Sequence, residues 1–206
     1  MTSVITGDII HSTQYTDPNI WLTPLRSALS MLSSDTKYWE IYRGDSFQIE
    51  IRDFLTSFEK AVYIKACIKC IKGLDVRLAI GVGKKSFEGE KVTESNGEAF
   101  QFSGETFESL KKEKINLKIK TPNEVLNQEL NLYFKLALIA MDHWTVNSAE
   151  IVKLGLVEHR DKLQKELAQI VGINQEAVSK RLKRANFEEI LELDLMYREK
   201  ISTLMP

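Results

Sequence analysis

Two aspartates stand where a β-type chain is expected to turn, and carboxylates in such places could bind a cation. Asp8 follows the apolar run "SVITG", and Asp45 lies in "YRGDSF", between two short runs of alternating apolar residues. Carboxylate oxygens are the ligands that Mg²⁺ prefers, commonly together with substrate phosphate oxygens. Turns also favour aspartate for conformational reasons alone, so either residue could serve only the backbone. Close approach of the two side chains would favour the metal site.

The two cysteines, Cys67 and Cys70, have the C-x-x-C spacing found in zinc and redox sites. No second cysteine pair or histidine pair follows in the sequence to complete a tetrahedral zinc site. The surrounding "YIKACIKCIK" has the apolar spacing of a helix. We therefore expect both thiols to be small apolar groups in a helix–core contact.

A second group of candidate residues lies in "LQKELAQIVGINQEAVSKRLKR", which begins at residue 163. The spacing of Ala168, Gly172, Ile173, Val178 and Leu182 predicts a helix-turn-helix, a motif that places its second helix in the major groove of DNA. Val178 and Leu182 are expected to be buried and to anchor this second helix. Between Arg160 and Arg184, seven basic residues stand against three acidic ones, which is compatible with nucleic-acid contact. The predicted DNA-contacting residues are Gln175, Ser179, Lys180, Arg181, Lys183 and Arg184.

Composition restricts the class of protein. The chain has 206 residues, is 43% apolar and carries a formal net charge of −1, which argues against a protein that coats nucleic acid without specificity. No stretch approaches the roughly 18 consecutive apolar residues needed to span a membrane. The start "MTSVITGDII" lacks the basic and apolar regions of a signal peptide. We expect a cytoplasmic protein with no membrane partner.

The elements that must position these residues follow from apolar periodicity. Through residue 83 the pattern is β-α-β-β-α-β, which predicts an α+β class and a ferredoxin-like split βαβ domain. In that topology the first and third strands are neighbours, which would bring Asp8 close to Asp45. A helix over 99–114 and an edge strand over 115–121 complete a first domain, 1–121. The remainder, 122–206, is expected to be all-α, with the helix-turn-helix at about 163–185.

Residues 1–113 resemble the palm-like catalytic domain of class III nucleotidyl cyclases, through "GDII", "YRGDSFQIEI", "VRLAIGVG" and "NGEAFQFSGETFESL". The resemblance implies that Asp8 and Asp45 bind Mg²⁺ or Mn²⁺ with a nucleotide, and that the backbone carbonyl of Ile9 is a third ligand. The cyclase helix carries an asparagine and an arginine where this chain has Gln101 and Glu105. A carboxylate in place of the arginine removes a cation from the developing phosphoryl charge, so the resemblance implies a catalytically degenerate site.

The whole chain is similar to the SatD-like family of small bacterial proteins. The matching segments are the start Gly7–Ile10, the hairpin Gly44–Gln48 and the strand Arg77–Gly83, although Ser46 stands where members commonly have an acidic residue. The segment "QKELAQIVGINQEAVSKRL" also resembles the helix-turn-helix of sigma factors and response regulators. These resemblances imply an architecture and a DNA partner.

Three functions remain open at this point. The first is a DNA-binding transcriptional regulator, expected to act as a homodimer, whose cyclase-like domain binds a nucleotide or serves as a scaffold. The second is a divergent metal-dependent nucleotidyl cyclase or nucleotidyltransferase with a DNA-binding tail. The third is a dimer-forming interaction module that binds neither ligand nor DNA.

Overall fold

The computed structural model describes residues 1–157 and 164–205, and within them the chain is α+β, as predicted. The strands are β1 (Thr2–Ile10), β2 (Trp39–Tyr42), β3 (Ser46–Ile51), β4 (Asp75–Gly83), β5 (Lys85–Phe87), β6 (Asn96–Gly97) and β7 (Leu117–Lys120). The α-helices are α1 (Asn19–Leu32), α2 (Ser57–Lys69), α3 (Glu98–Glu113), α4 (Glu124–Met141), α5 (Val146–Val157), α6 (Gln164–Val171), α7 (Gln175–Arg184) and α8 (Phe187–Ser202).

The main sheet has five strands in the order β2-β3-β1-β4-β7. The first four are antiparallel to their neighbours, and β7 joins the edge parallel to β4, which makes the sheet mixed. The predicted adjacency of the first and third strands is confirmed, since Asp8 is the cross-strand partner of Ser46. The predicted edge strand is confirmed as β7. The segment between β4 and α3 forms the short β5–β6 pair and a single 3₁₀ turn at Val92–Glu94.

Alternation along the strands gives the sheet two different faces. One face carries aliphatic residues such as Ile5, Ile49 and Ile80, which pack against α1 and α2 in the main core. The opposite face carries Val4 and Ala79, which contact α3 in two smaller apolar clusters. Asp8 lies on this second face, because it is two positions beyond Thr6, whose hydroxyl donates to Ser103 of α3.

Glycine in β4 allows α3 to lie close to the sheet. A Cβ atom on Gly81 would stand 2.1 Å from the carbonyl oxygen of Ala99, and one on Gly83 would stand 2.6 Å from the Cβ of Glu98. Both distances are shorter than any real contact, so the backbone of α3 occupies the space that side chains would need.

Helices α4, α5 and α8 share the core of the sheet. Phe134 of α4 stacks on Phe58 of α2 with ring centroids 4.8 Å apart, and the buried Tyr197 of α8 donates its hydroxyl to the carbonyl of Phe54 at 3.0 Å. A single apolar cluster extends across the predicted division between 1–121 and 122–206. The division itself stays a prediction, but its two parts are joined by buried contacts.

A buried ionic cluster reinforces this connection. Lys65 of α2 is 1% exposed, and its ammonium lies 2.6 Å from Asp75 of β4 and 2.7 Å from Asp142, which follows α4. Lys69 donates to Asp75 and to the backbone carbonyl of Asp142. Because each buried charge has an opposite partner, the cluster fixes α2 and β4 relative to the end of α4.

The cysteine prediction holds: Cys67 and Cys70 lie at the end of α2 as free thiols, the first buried and the second half-buried. Burial raises the pKa of the Cys67 thiol to about 11, which favours the neutral form. Helix α1 buries Trp21, Leu25 and Ala28, whereas Ile20 is exposed.

Candidate functional site

The carboxylate of Asp8 lies inside the protein and is bound by an arginine. The strand β1 continues to Ile10, so the prediction that Asp8 ends the strand is wrong. Asp8 is 4% exposed, and Arg77, its cross-strand neighbour on β4, donates from Nε to Oδ1 and from Nη2 to Oδ2, both at 2.7 Å. This fork is the strong bidentate form of an arginine–carboxylate pair.

The second aspartate is held by different partners. Asp45 ends the β2–β3 loop, in which Arg43 and Gly44 both have positive φ. Its Oδ2 accepts a hydrogen bond of 2.5 Å from the Ser12 hydroxyl, and its backbone carbonyl accepts from the Ile9 amide at 3.2 Å. The two aspartates are therefore brought to neighbouring positions at one end of the sheet, as predicted, but their side chains engage separate groups.

The local charge is balanced. Lys111 of α3 places its ammonium 3.4 Å from Oδ2 of Asp8, in addition to Arg77. Hydrogen bonding to Asp8 raises the pKa of Arg77 above its usual value, and Asp45 contributes a smaller effect of the same sign. The Asp8 carboxylate thus has two cationic partners, whereas a divalent cation would need carboxylate oxygens that are free to bind it. Within the described ranges, no group of three or more His, Cys, Asp or Glu side chains could hold a metal ion.

The α3 positions aligned with the cyclase residues do not contact Asp8. Gln101 is exposed, and Glu105 forms an exposed ion pair of 2.5 Å with Lys120 of β7. The helix instead presents Lys111 to Asp8, two turns further along. The aligned positions therefore supply neither a cation nor an amide to the two aspartates.

Sequence reasoning missed the groups that engage the aspartates. Arg77 lies in the strand segment "VRLAIGVG", and the antiparallel register of β1 and β4 places it opposite Asp8. Lys111 and Ser12 had no comparable signal, because one is set by how α3 lies on the sheet and the other by a short 3₁₀ turn after β1.

In the C-terminal segment, two short helices, α6 and α7, are joined by a turn at Gly172. Gly172 adopts a φ of +72° between α6 and α7, where a Cβ would meet no atom within 4 Å. Asn174 caps α7 by accepting a hydrogen bond of 2.8 Å from the Ala177 amide. Val178 is fully buried against Leu167, Ala168 and Ile151, so α5, α6 and α7 form one small apolar cluster. Leu182 was predicted to be buried and is half-buried.

Part of the predicted motif lies outside the described residues. These are Leu163, at which the predicted motif begins, and Arg160, Asp161 and Lys162, which were counted in the charge of the basic patch. The basic residues of the patch that can be placed are therefore Lys165 on α6 and the four on α7.

The exposed side of α7 presents most of the predicted contact residues. Gln175, Ser179, Lys180, Lys183 and Arg184 are exposed. The ammonium of Lys180 lies 2.6 Å from Glu176 one turn earlier, in an exposed pair that water screens strongly. This side of α7 thus combines polar groups that could reach bases with cations that could reach phosphates.

Arg181 differs from the other predicted residues. The prediction that it is solvent-exposed is wrong: its side chain is 20% exposed, and its Nη1 donates to Glu150 of α5 at 3.0 Å. The pair connects α7 to α5, the helix that precedes the motif. Arg181 therefore helps to orient α7 rather than extending from it.

Acidic residues border one edge of α7. A cavity of about 270 Å³ separates α7 from the start of α8 and is lined by Ser179 and Lys183 on one side and Glu188 and Glu189 on the other. The glutamates lie in the first turn of α8. Helix α8 leaves the exposed residues of α7 uncovered, although its two glutamates place negative charge beside Lys183.

Comparison with known proteins found no matching protein-family model, no matching curated protein and no matching solved structure. Among the described residues, no helix is both long and apolar enough to cross a lipid bilayer.

Proposed function

We propose that this protein is a DNA-binding regulator in which α5, α6 and α7 form the DNA-binding unit and the sheet serves as a non-catalytic scaffold. The observation that carries the proposal is the turn between α6 and α7. Gly172 at positive φ, the Asn174 cap and the buried Val178 together hold α7 with a polar, basic side in solvent. A helix presented in this way is the reading element of helix-turn-helix proteins.

The proposed DNA contacts of α7 fall into two groups, those to phosphates and those to base edges. Lys183 and Arg184 lie in the last turn of α7 and would neutralise phosphates, which sets affinity and register. Gln175 and Ser179 at the start of the helix, with Lys180, would meet base edges in the major groove. Arg181 acts through Glu150 as a positioning residue. One motif offers few phosphate contacts, so we expect useful affinity from two copies on two half-sites.

The scaffold assignment is supported by the charges around Asp8. The strand order β2-β3-β1-β4 is the one a ferredoxin-like palm would have. Asp8 nevertheless carries Arg77 and Lys111 as partners, so a divalent cation would have to displace a bidentate arginine. A metal-dependent nucleotidyltransferase also needs a cation at the transferred phosphoryl group, and Glu105 stands at the aligned position. A function as a metal-dependent nucleotidyltransferase therefore has less support than a function as a DNA-binding regulator.

The test is selection from a random DNA library followed by titration at several salt concentrations. We expect an enriched motif, and Lys183→Ala with Arg184→Ala should lower the slope of log K against log salt by about 2, roughly 0.9 per lost phosphate contact. The matched control is Arg26→Ala with Lys112→Ala, which removes the same charge from exposed positions on α1 and α3. If no sequence is enriched, and both double variants change the slope equally, the motif is an interaction module.

A further inference from the structure

Helix α4 carries a row of exposed apolar side chains. Val125 is 76% exposed, Leu132 55%, Leu136 56% and Ile139 67%. The opposite side of the same helix is buried in the core through Leu130, Phe134 and Leu138. The core therefore does not account for this row, which we call the α4 stripe: Val125, Gln128, Leu132, Leu136 and Ile139. Contiguous exposed apolar residues of this kind mark interaction surfaces.

The spacing of the α4 stripe is symmetric about its centre. Val125 precedes Leu132 by seven residues and Ile139 follows it by seven, while Gln128 and Leu136 stand four residues to either side. Seven residues are close to two helical turns, so these positions share one side of α4 over about 20 Å. When two such helices pair antiparallel, Leu132 meets Leu132, and Val125 meets Ile139. Gln128 meets Leu136 in this arrangement, but the positions 125, 132 and 139 are apolar in both directions, which fits a second copy of the same chain.

The charges beside the α4 stripe are compatible with that pairing. None of its five positions is charged. On one flank, the antiparallel arrangement brings Lys135 of one copy toward Gln128 and Glu124 of the other, with opposite signs on the two ends. On the other flank, Glu129 is already paired with Lys200 of its own chain at 2.7 Å. If two copies of Glu129 approach each other, each lysine therefore compensates the negative charge of its glutamate.

An apolar groove extends the surface. It lies between α4 and α8, encloses about 290 Å³ and is lined by Leu136, Ala137 and Ala140 with Ile190, Leu193 and Met196. The groove borders the α4 stripe at Leu136, so side chains from a helix lying on the stripe would have adjacent apolar space to fill. This enlarges the area that a second copy could cover.

We propose that the α4 stripe is a homodimer interface in which two α4 helices pair antiparallel about a two-fold axis at Leu132. The dimer would present two helix-turn-helix units. The inference is independent of DNA binding, since it rests only on α4 and its neighbours, and its test contains no DNA.

Cross-linking of cysteine variants under a mild oxidant tests the register. Leu132→Cys should form a disulfide-linked dimer by itself, because the two-fold axis places residue 132 beside its own copy. Val125→Cys and Ile139→Cys should cross-link only when the two variants are mixed. The wild-type chain gives the background from Cys70, and Leu195→Cys, at an exposed position on α8, gives the background from collisions.

Sedimentation velocity over a wide range of protein concentrations tests the affinity. Leu132→Glu with Leu136→Glu should raise the dimer dissociation constant roughly a hundredfold, because like charges would face each other at the axis. A charge exchange away from the α4 stripe, Glu108→Lys with Lys112→Glu at exposed positions of α3, should leave this constant nearly unchanged. A wild-type chain that stays monomeric overturns the proposal, as does self-cross-linking of Val125→Cys, which would indicate a parallel pair, or cross-linking of Leu195→Cys equal to that of Leu132→Cys.

Discussion

Arg77 and Asp8 face each other across β4 and β1, and the guanidinium donates two hydrogen bonds of 2.7 Å to the carboxylate. Asp8 is 4% exposed, so its charge is removed from water and depends on these bonds for stabilisation. The pair lies on the face of the sheet that α3 covers. The pair therefore affects the stability of this end of the sheet, and it limits which other groups the Asp8 carboxylate can bind.

Replacing Arg77 should therefore destabilise the fold strongly, even though 25% of its side chain is exposed to solvent. We expect Arg77→Met to lower the free energy of unfolding by roughly 3 kcal/mol, because a buried carboxylate would remain with only the more distant Lys111. Urea denaturation followed by circular dichroism measures the change. The double variant Asp8→Leu with Arg77→Met should recover part of the loss, since no uncompensated charge is left. A double variant less stable than Arg77→Met alone would contradict this account.

The same pair predicts weak binding of divalent cations. Millimolar Mg²⁺ or Mn²⁺, with or without a nucleoside triphosphate, should leave the Tm of the wild-type chain unchanged, because Arg77 already occupies both oxygens of Asp8. Thermal denaturation with Asp45→Asn as the matched control measures this. A rise in Tm that Asp45→Asn removes would show that the aspartates bind a cation, and would restore the metal site that the cyclase resemblance implies.

The sequence was informative where a pattern is local. The buried side of α4 follows from apolar residues at every third or fourth position, and the turn after α6 follows from Gly172 and Asn174, which have their own conformational preferences. The adjacency of the first and third strands follows from the β-α-β-β-α-β order of elements when it adopts the split βαβ topology. These features need no knowledge of which distant residues meet.

The environment of the aspartates could not be predicted in the same way. The partner of Asp8 depends on the register between β1 and β4, and a register shift of one residue would have turned Arg77 to the other face. Lys111 reaches Asp8 because glycines of β4 allow α3 to lie close. Arg181 had the sequence position of a DNA contact, but Glu150 on another helix holds it.

We expect the folded protein to lose stability at alkaline pH because the Cys67 thiol is buried. Burial raises its pKa from 9.0 to about 11 in the fold, so between these values the unfolded chain releases a proton that the folded chain keeps. Stability must then fall as pH rises through this window, by up to roughly 2–3 kcal/mol for this group. Urea denaturation at pH 7, 9 and 10.5 should show the difference between wild type and Cys67→Ala shrinking as pH rises. A constant difference would mean that Cys67 titrates equally in both states.

The ion pair between Arg181 and Glu150 gives a test of how α7 is held. If Arg181 only positions the helix, Arg181→Gln and Glu150→Gln should each weaken DNA binding by a similar small factor, and the double variant should be no weaker than either. Each should cost about 0.5–1 kcal/mol in stability, because Glu150 is 44% exposed and water screens the pair. The salt dependence of binding should not change. A slope reduced by about one unit in Arg181→Gln, together with tighter binding in Glu150→Gln, would instead identify Arg181 as a phosphate contact released from a competing carboxylate.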